Sequence, residues 1–128
     1  MHLDGFVIPV PEGKRQAYLE MAQWFDQAMI DLGAIEVIEG WETEVPEGKR
    51  TDFRKAVQAE PGEKIVFYFI LWPDKQTADA AHDAIHEDER FSAVTEMPFD
   101  GQRMIYGSFE PILHLRREPG QTCPSGTS

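Results

Sequence analysis

The run Ile65–Trp72, IVFYFILW, has no polar interruption. Pro61-Gly62 turns the chain into it, and Pro73-Asp74 follows it. Its β-branched and aromatic content predicts a strand. Ile65, Phe67, Phe69 and Leu71 then point one way, and Val66, Tyr68, Ile70 and Trp72 the other. A strand that is apolar on both faces asks to be covered on both. Any fold for this chain must therefore place Ile65–Trp72 centrally and account for two covering layers.

The flanking segments supply the neighbours. His2–Val10 is β-branched and apolar and ends at Pro9-Val10-Pro11, predicting a first strand. Over Lys14–Leu32, the residues Tyr18, Met21, Phe25, Ala28, Met29 and Leu32 recur at helical spacing, and Gly33 reads as the cap. Ala34–Val45 predicts a second strand. One of its faces holds Ile35, Val37, Trp41 and Val45 and is interrupted by Glu39. Pro46-Glu47-Gly48 turns the chain, and a short extended piece is expected over Asp52–Ala59. Asp74 is a plausible N-cap for a second helix running to about Asp88, with small residues Ala78 and Ala81 and then Ile85 on its stripe. Arg90–Thr95 reads as a further helical turn before Pro98, and Gln102–Leu115 as the last strand.

The order strand, helix, strand, strand, helix, strand predicts an α+β, ferredoxin-like βαββαβ domain over residues 1–115. Its four-stranded antiparallel sheet would carry both helices on one face. The other face would be bare, which the third strand forbids. A contiguous apolar patch of that kind marks an interface, so a homodimer through the sheet face is expected, its two sheets closing into an α+β barrel. The alternative is a monomer whose second face is covered by the loop Pro46–Gly62 and the tail.

Charge and cysteine usage narrow the rest. The chain has 23 acidic and 12 basic residues, a net charge of −11, which argues against nucleic acid and anionic membrane as partners. Cys123 is the lone cysteine and cannot form an internal disulfide or a zinc site, which fits a reducing cytoplasm. The N-terminus MHLDGFVIPV is short and acidic for a signal peptide, and no apolar run reaches membrane-spanning length. Residues 116–128 lack apolar periodicity and are expected to form a disordered tail.

Three strings carry a resemblance: DGFVIPVP near the start, GWETEVPEGKRTDFRKAVQAEPGEKIVFYFILWP in the middle, and MPFDGQRMIYGSFEPI near the end. Together they resemble the YbaA-like family of small uncharacterised bacterial proteins in the dimeric α+β barrel superfamily. The resemblance spans about Leu3 to Ile112 and implies the same fold and a dimer. It implies no activity. The wider superfamily includes cofactor-independent monooxygenases, haem-degrading enzymes, haem peroxidases and stress-responsive proteins, and a shared fold does not fix function.

Candidate chemistry is sparse. Arg103, Tyr106 and Glu110 are polar residues in a segment that otherwise reads as core. Tyr106 and Glu110 would meet Tyr68, Trp41 and Asp4 if their faces coincide, giving an aromatic-walled concavity with an acid or phenol for proton transfer. Arg103, Tyr106 and Tyr68 are the candidate catalytic groups. The plainer alternative is an Arg103 ion pair with Asp4, Glu36 or Asp100, and Tyr106 as a core aromatic. The loop Lys49–Lys55 gathers four of the basic residues, among them Arg54, which could hold an anion or pair with Glu42 and Glu44. His82 and His86 have metal-capable i, i+4 spacing but no evident third ligand, so no metal is expected. Haem would need an axial His82 or His114, and neither has a supporting pattern. No cofactor is expected.

Two functional classes follow. One is a dimer that binds or oxidises a small hydrophobic or aromatic metabolite without a cofactor, with Trp41, Arg54, Tyr68, Arg103 and Tyr106 as ligand-binding candidates. The other is a non-enzymatic structural or stress-related homodimer. A cavity of several hundred Å³ with aromatic and ionisable walls would favour the first, and a filled interior the second.

Overall fold

A computed structural model describes residues 1–88 and 97–117. The expected turn at Arg90–Thr95, Cys123 and the tail beyond Arg117 lie outside the described residues. Strands β1 (His2–Pro11), β2 (Glu36–Trp41), β3 (Glu63–Trp72) and β4 (Ile105–Phe109) form one sheet in the order β2-β3-β1-β4. Every neighbouring pair is antiparallel. Two longer helices, α1 (Arg15–Asp31) and α3 (Lys75–Glu87), follow β1 and β3, and a single-turn helix α2 (Phe53–Ala56) lies in the β2–β3 connection. The four-stranded antiparallel sheet and the βαββαβ order are those of a ferredoxin-like fold.

The register fixes which residues share a face. Asp4 lies opposite Ile70 and Ser108, Phe6 opposite Tyr68 and Tyr106, and Glu39 opposite Tyr68. Even-numbered residues of β1 and β3 therefore look toward the helices, with Ile8, Val10, Val66, Ile70 and Trp72 all buried. From α1, Tyr18, Ala22 and Met29 pack onto this layer. Helix α3 contributes Ala78 and Ala81, small side chains that bring its backbone close to the sheet. Asp74 caps α3 by accepting from Thr77 N at 2.7 Å. At the end of α1, Gly33 has φ +114°, Gly33 N donates to the Ile30 carbonyl and Ala34 N to the Met29 carbonyl, both at 3.0 Å. This double bond across a left-handed glycine closes the helix.

Four expectations are corrected. The chain is an open sheet, not a barrel: β2 and β4 stand at opposite edges and are not paired with each other. The segment expected to be extended over Asp52–Ala59 contains α2 instead, because the Asp52 carboxylate accepts from Lys55 N (2.7 Å) and from Gly48 N (3.0 Å) and caps a turn. The last strand is shorter than Gln102–Leu115. Asp100 accepts from Gln102 N at 2.9 Å and winds Gly101–Arg103 into a 3₁₀ turn, which leaves Arg103 off the sheet. Strand β2, too, covers only Glu36–Trp41 of the expected Ala34–Val45.

The face away from the helices carries Leu3, Val7, Ile38, Phe67, Phe69, Ile105 and Phe109. Phe67, Ile38, Ile105 and Phe109 are exposed, as are Ile112, Leu113 and Leu115 in the segment after β4. Phe109 folds its ring back over Gly107, where a Cβ would meet it at 2.9 Å, so a larger residue there would turn the exposed ring aside.

Candidate functional site

Between the sheet and α1 lies a cavity of about 310 Å³. Its floor is Phe6, Ile8 and Tyr68 from the sheet, and its roof is Tyr18, Met21, Ala22, Trp24 and Phe25 from α1. Met97, Phe99 and Met104 close one side, and Glu39 enters from β2. Six of these residues are aromatic and Glu39 is the one formal charge among them. Phe6 and Tyr68 are stacked directly across the β1–β3 pair, with centroids 4.1 Å apart and planes within 6°. Tyr18 meets Phe99 edge to face at 5.9 Å. The rings hold one another in place, which keeps the space from collapsing.

The polar end of the cavity is Glu39, and a second carboxyl, Asp26, pairs with it. Glu39, on β2, accepts a hydrogen bond from the Tyr18 hydroxyl of α1. Asp26, two turns further along α1, faces Glu39, and its Oδ1 is buried without a hydrogen-bond partner. Burial first, then the hydrogen bond and the negative charge of Glu39, push the Asp26 carboxyl from its ordinary 3.8 up to about 9. The pair thus keeps one proton at neutral pH, since two close carboxylates do not both ionise in a shielded site. Burial and the Glu39 charge raise the hydroxyls of Tyr18 and Tyr68 well beyond the usual phenol range, so both stay neutral.

On the other side of Phe6 is a second polar cluster, centred on Asp4. Asp4 is fully buried. Its Oδ1 lies 2.9 Å from His2 Nε2 and 3.1 Å from Ser108 Oγ, and its Oδ2 lies 3.1 Å from both Trp72 Nε1 and His82 Nε2. The Tyr106 hydroxyl stands 2.8 Å from Ser108 Oγ and 3.4 Å from Asp4 Oδ1. A carboxylate only accepts, so the donors are ordered outward: Ser108 donates to Asp4, and Tyr106 to Ser108. His82 also sets its ring edge-to-face against Trp72 and Tyr106. The cluster ties β1, β3, β4 and α3 together.

A family model described as "Protein of unknown function (DUF1428)" matches residues 1–101. The chain belongs to the DUF1428 family. The uncharacterised protein YbaA of Escherichia coli (strain K12) is 47% identical over 113 residues, covering 88% of this chain and 97% of that relative. YbaA proteins of Escherichia coli O157:H7 and Shigella flexneri match with the same identity and coverage.

In this DUF1428 protein the residues expected from sequence separate into different places. Tyr68 lines the cavity. Trp41 sits at the core edge beneath the Arg15 guanidinium, 5.2 Å from its ring. Tyr106 belongs to the Asp4 cluster, and Glu110 is exposed beyond β4. Arg103 makes a bidentate pair with Glu63 at 2.8 and 2.7 Å, a bond to Asp100 at 3.0 Å and another to the Gln58 carbonyl at 2.9 Å. Asp100 was among its expected partners; Glu63 was not. Arg54 pairs with Glu42 at 3.2 Å and donates to the carbonyls of Glu63 and Glu60. These arginines brace the start of β3 and line no part of the cavity. His82 is held by Asp4, while His86 is exposed on α3. Among the described residues, no three His, Cys, Asp or Glu side chains are arranged to hold a metal ion. No described helix is long and apolar enough to cross a membrane.

Sequence reasoning missed Tyr18, Asp26 and Glu39 as site residues. The signal was present: Glu39 interrupts an otherwise apolar strand face, and Asp26 stands four residues after the buried Ala22 on the inward side of α1.

Proposed function

We propose that this protein binds a small, largely apolar, ring-bearing molecule in the cavity between the sheet and α1. The observation that carries this reading is the cavity itself, about 310 Å³ in volume, with aromatic walls and a single carboxylate at one end. Ligand sites of small domains have this composition: apolar surface for affinity and one or two polar groups for orientation. The Asp26–Glu39 pair can take or give a proton to a bound molecule. Binding, rather than cofactor-free oxidation, is what this set of groups supports. A thermal-shift screen of small aromatic and alicyclic compounds tests it. Hits should raise the melting temperature of the wild type but not that of Ala22→Phe, whose added ring would occupy the space beside the buried Ala22. A complete absence of hits would favour the structural, ligand-free reading.

The protein works as a homodimer in this proposal. Phe67, Ile38, Ile105 and Phe109 lie exposed on one sheet face, and Leu113 borders the same face. A second copy, turned about a two-fold axis, presents the identical apolar surface and covers it. Light scattering after size exclusion should give twice the 14.6 kDa chain mass.

A further inference from the structure

The cavity reading can be taken one step further, to the charge of its occupant; this inference rests on that reading. We infer that the cavity selects an organic cation, a protonated amine or quaternary ammonium with an apolar body. The aromatic rings of Phe6, Tyr18, Trp24, Phe25 and Tyr68 surround the space, and among the described residues no Lys, Arg or His lines it. Ring faces attract a positive charge through their quadrupoles, and aromatic cages recognise ammonium groups in this way. At one end Glu39 accepts from the Tyr18 hydroxyl and is hydrogen-bonded to the Asp26 carboxyl, and neither partner brings a positive charge. A carboxylate in an apolar cavity is destabilised unless a counter-charge reaches it. The nearest described groups give none. Asp26 on α1 is acidic, and Tyr18 on α1 and Tyr68 on β3 are neutral phenols. The Arg15 guanidinium at the start of α1 is engaged over Trp41.

A cation beside Glu39 supplies the missing charge. It also favours ionisation of the neighbouring Asp26, whose Oδ1 has no partner to lose. Binding should therefore release a fraction of a proton from Asp26 to the buffer, whereas a neutral guest of the same shape should not.

Benzyltrimethylammonium and its uncharged carbon isostere neopentylbenzene separate these ideas by calorimetric titration of the full chain, each below its solubility limit. The cation should bind about tenfold more tightly than the isostere. Its apparent enthalpy at pH 7.5 should differ between phosphate and Tris, whose heats of ionisation differ. Glu39→Gln should lower the cation's affinity to about that of the isostere. If that variant does not fold, the buffer dependence of the wild type decides. Equal or tighter binding of the isostere, or a cation enthalpy independent of buffer, would overturn the charge assignment and leave the cavity reading standing. No binding of either compound would overturn both.

Discussion

Replacing Asp4 by alanine should destabilise the fold by about 3–5 kcal/mol. The magnitude comes from which donors are left behind. Trp72 is wholly buried and its indole N–H can only donate, so it loses its partner with no water to replace it. His2 is also buried and loses the Oδ1 acceptor. Each orphaned buried donor costs about 1–3 kcal/mol. His82 and Ser108 reach solvent and contribute less. Asp4→Asn is the informative companion. Its amide oxygen can turn toward Trp72 and His82, while its NH₂ meets the Ser108 hydroxyl and a His2 ring that accepts through Nε2. It should therefore lose only about 1–2 kcal/mol. Urea denaturation followed by circular dichroism, at one fixed protein concentration, would read both values. With a slope near 2 kcal/mol/M, the midpoint of Asp4→Ala should fall by about 2 M and that of Asp4→Asn by less than 1 M, with slopes unchanged. An alanine variant within about 1 kcal/mol of wild type would refute the argument that this carboxylate organises the junction of β1, β3, β4 and α3.

Three further outcomes are expected. Asp26 has a folded-state pKa raised from 3.8 to about 9, so the folded chain holds a proton that the unfolded chain releases. The contribution of this group is fully present below 3.8 and is lost as pH rises toward about 9. Asp26→Asn should accordingly flatten the decline in denaturation midpoint between pH 5 and 8, and an unchanged slope would contradict the shared-proton account. Arg103→Ala should lower stability by about 1–2 kcal/mol and Arg103→Lys should recover little of it, because a lysine cannot reproduce the bidentate pair with Glu63. Neither change should alter ligand-induced thermal shifts, since Arg103 does not line the cavity. Phe67→Glu should give a monomer in light scattering where the wild type gives the proposed dimer, with its helical circular dichroism retained; equal masses for the two would contradict the proposed sheet-face interface.

The sequence made the layout legible where side-chain pattern and backbone preference agree. Ile65–Trp72 could only be a central strand, and Gly33 and Asp74 mark helix ends by their own chemistry. The pattern failed where a single aspartate redirected the backbone. Asp52 and Asp100 each draw nearby amides into a turn, and this local bond outweighs strand preference in the following residues. That is why Arg103, expected on a sheet face, stands before the strand and pairs with Glu63. The site was half legible. Tyr68 and Tyr106 do face the helices with Asp4, as expected if their faces coincided. Phe6, however, stands between them and divides the layer into an apolar cavity and a polar cluster. That division depends on the register of three strands, which no single segment states. The Asp26–Glu39 pair joins a helix to an edge strand and exists only once α1 is laid across the sheet.

The most direct test of the central claim is whether the cavity admits a guest. Diffraction from crystals held under xenon pressure locates apolar space independently of any ligand's identity. The account predicts a xenon peak in contact with Ile8, Ala22 and Tyr68, on the side of the stacked Phe6 ring away from Asp4. Side chains filling that space, with no xenon bound there, would contradict it.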